Sequence, residues 1–157
     1  MKILMVCLGN ICRSPMADGL LRKKVSDHDL AIDVDSAGTG DWHVGQAPDE
    51  RMRATAKSNG LSIDELRGRQ FVQEDYDLFD RIYVMDQSNY ENVIKLARSD
   101  EDITKVDLFL NLSHPGEDME VPDPYFGGEE GFQHVYDLID DATDRLINEF
   151  KSNNGER

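Results

Sequence analysis

The chain is short of positive charge. Its 17 Lys and Arg stand against 32 Asp and Glu, a formal charge of −15 over 157 residues. A duplex phosphate backbone attracts the opposite sign, so general nucleic-acid binding is excluded as an expectation, and an anionic membrane surface is disfavoured for the same reason. Long apolar runs are missing as well. The longest, Ile3 to Leu8, falls far below the roughly 18 residues of a spanning helix and starts too near Met1 for a signal peptide with its cleavage site. A cytoplasmic protein is the expectation. Cysteine is scarce: Cys7 and Cys12 form one close pair, from which no secreted disulfide framework can be built. His28, His43, His114 and His134 are scattered without metal-ligand spacing, and no CxxC pair accompanies them. What remains is a globular composition, 39% hydrophobic with 12 Gly and 5 Pro. Any site for an anionic substrate must therefore create its own local positive field.

The apolar residues that are present recur with clear periods. Lys2 to Cys7 is a nearly continuous apolar run, suited to a central strand buried on both faces. Gly9 and Asn10 interrupt it, and Ser14-Pro15 then reads as a helix start, with Ser14 as N-cap and Pro15 at the first helical position. Met16, Ala17, Leu20, Leu21 and Val25 give that helix one apolar face. Further strands are predicted over Ile32 to Ala37, Arg81 to Met85 and Val106 to Leu110. Helices are predicted over Pro48 to Ser58, over Ser88 to Leu96, and along Phe132, Val135, Ile139, Ala142, Leu146 and Phe150. Strands alternating with helices specify an α/β fold whose parallel sheet is covered on both faces. We read one domain, 1–157, with 151–157 as a frayed tail. Ligands of such sheets bind beyond the carboxyl ends of the strands, where Cys7 stands.

The loop after the first strand reads Cys7-Leu8-Gly9-Asn10-Ile11-Cys12-Arg13-Ser14. A strand-to-helix loop can turn its backbone N–H groups inward as an anion-binding nest. Gly9 permits the tight turn, and Asn10 tolerates the left-handed region better than most residues. Arg13 supplies a planar fork for two phosphate oxygens. Cys7, below the nest and near a helix N-terminus, is in surroundings that favour thiolate over thiol. A lone cysteine at a strand end would ordinarily be a packing residue. Its five-residue spacing to Arg13, followed by Ser-Pro, argues for a nucleophile instead. Ser14 reads either as a donor to the Cys7 sulfur or as a helix cap alone. Asp123, held between Pro122 and Pro124, is a candidate general acid or an ordinary turn residue. Asp86 could touch the site or only cap the following helix. His43 could line the site or lie on the surface.

Val6 to Ala17 resembles the signature of the low-molecular-weight protein tyrosine phosphatases, and Asp123-Pro124-Tyr125 resembles that family's general-acid loop. The likeness continues through Asp35 to Thr39, Trp42 to Gly45, Arg69-Gln70 and Met85 to Asn89, in the family's order. It implies a three-layer sandwich with a central four-stranded parallel sheet in the order 2-1-3-4. It implies metal-independent hydrolysis of phosphate monoesters, most of all protein phosphotyrosine, through a phosphocysteine on Cys7. Arg13 and the amides of residues Leu8, Gly9, Asn10, Ile11, Cys12 and Ser14 would hold the phosphate. Asp123 would act as acid and then base. Asn10, Ser14 and Ser36 would support the loop, and Trp42 and Tyr125 would wall the cleft. No metal or organic cofactor is implied. The implied partners are a phosphotyrosine protein or an aryl phosphate, with the chain a monomer or weak homodimer. In that family a pair such as Cys7 and Cys12 can form a reversible disulfide; a small packing residue is the other reading of Cys12.

Two positions depart from the family pattern. Leu66 stands where many members have a His bonded to the loop Asn, which predicts a different support for Asn10. Phe126 replaces the second Tyr of the acid loop. Two other functions stay open on the sequence. Thioredoxin-coupled arsenate reductases share the loop, although their relay uses cysteines outside it and this chain has none after Cys12. A non-catalytic phosphate-binding module would be expected to lack the nucleophile or the acid.

Overall fold

The computed structural model describes residues 1–125 and 128–155. Phe126 and the last two residues of the expected tail lie outside them. The first strand, β1, is Lys2–Cys7, and Ile3, Leu4, Met5 and Val6 have no solvent exposure. The continuous apolar run has a simple cause. Ile3, Met5 and Cys7 face one core, while Leu4 and Val6 face another, so no polar alternation is possible. Helix α1, Arg13–Asp27, follows and buries Met16, Ala17, Leu20, Leu21 and Val25. Strand β2 is Asp33–Gly38, and helix α2 is Glu50–Ser58, capped by the Asp49 carboxylate accepting from the Arg51 N–H. After α3, Asp75–Leu78, come β3, Arg81–Val84, and α4, Gln87–Ile94. Helix α5, Asp100–Thr104, leads into β4, Val106–Leu108, and the chain closes with α6, Glu129–Gly155.

All strand pairs are parallel, in the order β2-β1-β3-β4. One face is covered by α1, α2 and α6, where Met52, Ala56, Phe132, Val135, Ile139 and Leu146 meet the β1 side chains. The other is covered by α3 and α4, through Tyr76 and Val93. This is the expected three-layer sandwich. Lys24 ties α1 to α6, donating to Asp140 at 2.7 Å and Thr143 at 2.7 Å.

Four local expectations need correction. Ser14 is the second residue of α1 rather than its cap; the cap position is Cys12, with no side-chain bond. Strand β4 stops at Leu108 because Phe109–Leu112 forms a 3₁₀ turn. Val106 and Leu108 face the α3/α4 core, and the turn swings Leu110 across to the α1/α6 core instead of continuing the alternation. Helices α3 and α5 are too short to register a 3.6-residue period and were not expected. Helix α6 runs through Gly155, past the start of the expected tail, since no proline or glycine interrupts Lys151 to Asn154.

Candidate active site

The turn between β1 and α1 folds over the strand end with Asn10 at φ 56°, the left-handed region that its type favours. Its carbonyls point outward. The Cys7 carbonyl accepts from the Thr39 N–H at 2.9 Å, that of Leu8 from Gly40 at 2.9 Å, and that of Ile11 from Asp49 at 2.8 Å. Among the described residues, no N–H from Gly9 to Cys12 donates to another protein group. Unpaired N–H groups at the start of a 15-residue helix form a cradle for an anion. Gly38 lets β2 pass this close, because a Cβ there would stand 2.8 Å from the Leu8 carbonyl oxygen.

Beneath the cradle, the Ser14 hydroxyl lies 3.0 Å from Cys7 Sγ and accepts from Asn10 Nδ2 at 2.8 Å. With Asn10 donating to its oxygen, Ser14 keeps its one proton for the sulfur or for the Ala37 carbonyl, which is farther, at 3.4 Å. Ser14 therefore can donate to a thiolate. The Asn10 side-chain oxygen accepts from the Arg69 backbone N–H at 3.1 Å. Arg69 is itself held by Asp35 and, through two bonds of 3.1 Å, by Asp75. Leu66 packs against the core. Ser36 does not share in this support. It is buried on β2, pairs with Met5 two residues below the end of β1, and makes no side-chain hydrogen bond to the turn among the described residues.

Arg13 is 2% exposed, and its fork reaches two distant segments. Nη1 donates to Asp86 at 2.7 Å and to the Val121 carbonyl at 3.0 Å, and Nη2 is 3.7 Å from the Asp123 carboxylate. Burial alone would lower the Arg13 pKa, but the nearby Cys7 and Asp86 outweigh it and raise it further. Asp86 does both things the sequence left open. One oxygen holds Arg13, and the other caps α4 by accepting from the Asn89 N–H at 2.8 Å. Cys12 is buried and free, and burial, with Asp49 next in weight, pushes its thiol pKa well up.

These groups enclose a cavity of about 170 Å³. Cys7, Arg13, Trp42, His43, Asp123 and Tyr125 all line it. Leu8, Gly9, Ile11 and Cys12 also line it, whereas Asn10 and Ser14 lie buried behind. Among the described residues, no group of His, Cys, Asp and Glu is arranged to hold a metal ion.

The family model described as low molecular weight phosphotyrosine protein phosphatase matches residues 2–156. The chain belongs to that family. A Schizosaccharomyces pombe low molecular weight phosphotyrosine protein phosphatase is 41% identical over 149 residues, covering 93% of this chain and 94% of the relative. The crystal structure of an Entamoeba histolytica protein tyrosine phosphatase superposes with a TM-score of 0.89 at 39% identity, covering 98% and 99% of the two chains. A Drosophila protein described as an arginine phosphatase gives 0.88 at 35% identity, covering 96% and 98%. The phosphatase has one site residue that sequence reasoning passed over. Arg51 donates to the Tyr125 carbonyl at 3.0 Å and stacks its guanidinium 5.3 Å from the Tyr125 ring. Nothing local marks it, because it sits 74 residues away on α2.

Proposed function

We propose that the cavity hydrolyses aryl phosphate monoesters, protein phosphotyrosine foremost, through a phosphocysteine on Cys7. The observation that carries this reading is convergence: the Asp123 carboxylate, the Arg13 fork and the Cys7 sulfur bound to Ser14 line one small cavity. Cys7 attacks phosphorus as the tyrosyl oxygen leaves, and Asp123 gives that oxygen its proton. The turn N–H groups and Arg13 hold the three equatorial oxygens, where charge spreads in the transition state. Ser14 donates to the sulfur when it is expelled. Asp123 then takes a proton from the water that attacks phosphorus, and phosphate leaves with the Cys7 thiolate restored. These parts suffice for the chemistry without a metal. Trp42 and Tyr125 favour a flat aromatic leaving group. That aromatic lining supports phosphotyrosine here, whereas the Drosophila relative is described as an arginine phosphatase.

The reading also takes the chain 1–157 as one catalytic domain, working in the cytoplasm as a monomer or weak homodimer. Among the described residues, no helix is long and apolar enough to cross a membrane. The test is p-nitrophenyl phosphate hydrolysis with a chelator present. Cys7→Ser is expected at background and Asp123→Ala at a loss of about 10²- to 10³-fold in kcat. An inactive, fully reduced wild type would overturn the reading and direct attention to arsenate reduction or phosphate binding.

A further inference from the structure

A second cavity, of about 300 Å³, adjoins the first, and Leu8 and Trp42 line both. Trp42 is the partition. Its ring sits against Gly40, where a Cβ would come within 2.2 Å of the indole, so only glycine lets the ring sit there. The groove beyond has apolar walls in Leu8, Trp42, Phe71 and Leu96. Its chemistry is otherwise concentrated in two groups. Lys95 is the one charged residue of the lining among those described; its ammonium is 3.5 Å from the Asn92 side-chain oxygen and makes no ion pair among the described residues. The Thr39 hydroxyl is buried without a hydrogen-bond partner, a condition that costs stability unless something answers it.

We propose that this groove receives the side chain of a substrate residue flanking the phosphotyrosine, and that it selects glutamate. The proposal rests on the phosphatase reading above. The wall between the cavities is one indole and one leucine, so a residue one or two positions away, at about 3.3 Å per residue in extended chain, falls over the groove. An apolar stem with an anionic tip fits what is there. The methylenes lie along Leu96 and Trp42, and the carboxylate meets the Lys95 ammonium and accepts from the Thr39 hydroxyl. The overall charge of −15 repels acidic peptides at long range. Lys95 reverses that preference at contact, which makes it a specificity determinant rather than a steering charge.

The test compares kcat/KM for phosphotyrosine peptides carrying Glu, Gln or Lys at each of the two positions on either side. About 0.15 M salt limits long-range repulsion to roughly 8 Å. Wild type is expected to favour Glu over Lys about fivefold at one of these positions. Lys95→Met should flatten that ratio, and Lys95→Glu should invert it. Leu96→Trp, which fills the groove at a partly exposed position, should lower peptide turnover. All three variants should match wild type on p-nitrophenyl phosphate, which has nothing to place in the groove. A Glu-to-Lys ratio unchanged by Lys95→Met, or peptide turnover untouched by Leu96→Trp, would overturn the proposal. Wild type inert toward p-nitrophenyl phosphate would instead remove the phosphatase reading, and the groove's role with it.

Discussion

The turn over Cys7 and the segment carrying Asp123 face each other across one cavity, yet they are held in opposite ways. The turn is buried and braced from within: Asn10, Ser14 and Cys7 bond one another, and Thr39, Gly40 and Asp49, in the segment after β2, take up the outward carbonyls. The acid segment is braced from without. The Asp123 side chain is 36% exposed, and its neighbours are held through Val121 to Met85 and Arg13, and through Tyr125 to Arg51. The nucleophile side is therefore rigid by construction. The acid side has freedom to close on a substrate and to release a product.

Arg13 is the joint between them, so its replacement should have the largest effect on that contrast. Arg13→Lys keeps the charge but loses the fork, whose Nη1 serves Asp86 and Val121 while Nη2 faces Asp123. Its kcat on p-nitrophenyl phosphate should fall about 10²- to 10³-fold, as when an anion-hole donor is lost. A loss below tenfold would mean the two loops are placed independently. Asn10→Ala attacks the rigid side. It removes two hydrogen bonds and puts alanine at φ 56°. Activity should drop about tenfold, and melting should fall by about 4 °C, from roughly 1–2 kcal/mol of lost stability. Asn10→Gly separates the causes, restoring the backbone but not the bonds.

Arg51→Ala attacks the open side, where an exposed arginine loses its contacts to Tyr125, Asp49 and the Phe132 ring. A change of about threefold in kcat/KM with an unaltered melting point is expected. A loss as large as that of Asn10→Ala would show the acid segment to be as rigid as the turn. The last test leaves activity aside and concerns Cys12, whose burial, and then Asp49, raise its thiol pKa. The raised value means the neutral thiol is the folded form. Its contribution to stability is present below the usual thiol range and lost only as pH climbs above it. In Cys7→Ser, Cys12 should therefore resist iodoacetamide at pH 8, reacting at least tenfold more slowly than in the unfolded chain by mass spectrometry. Equal rates would show the turn to be open.

The same division separates what was legible in the sequence from what was not. The turn is eight consecutive residues, so the candidate nucleophile, the fork and the left-handed Asn10 could all be read locally. The sheet order came only with the family resemblance, although the alternation of strands and helices fixed its class. Arg13 finds its partners 73 and 108 residues away, and no spacing in the chain announces such a meeting. Ser14 was ambiguous for a physical reason: a serine before proline at a helix start has the same appearance whether its hydroxyl caps the helix or serves the sulfur. The part given to Ser36 came with the resemblance alone; the β1–β2 register sets it two residues below the strand end, on the same face as Cys7.

Synthesis delivers this chain from its N-terminus, and the Arg13 contacts give that order a meaning. The nucleophile turn emerges first, but Val121, Asp123 and the helix α6 that Lys24 anchors come late. A growing chain thus carries Cys7 and Arg13 long before it carries Asp123. The cavity is complete only when the last quarter of the chain has docked.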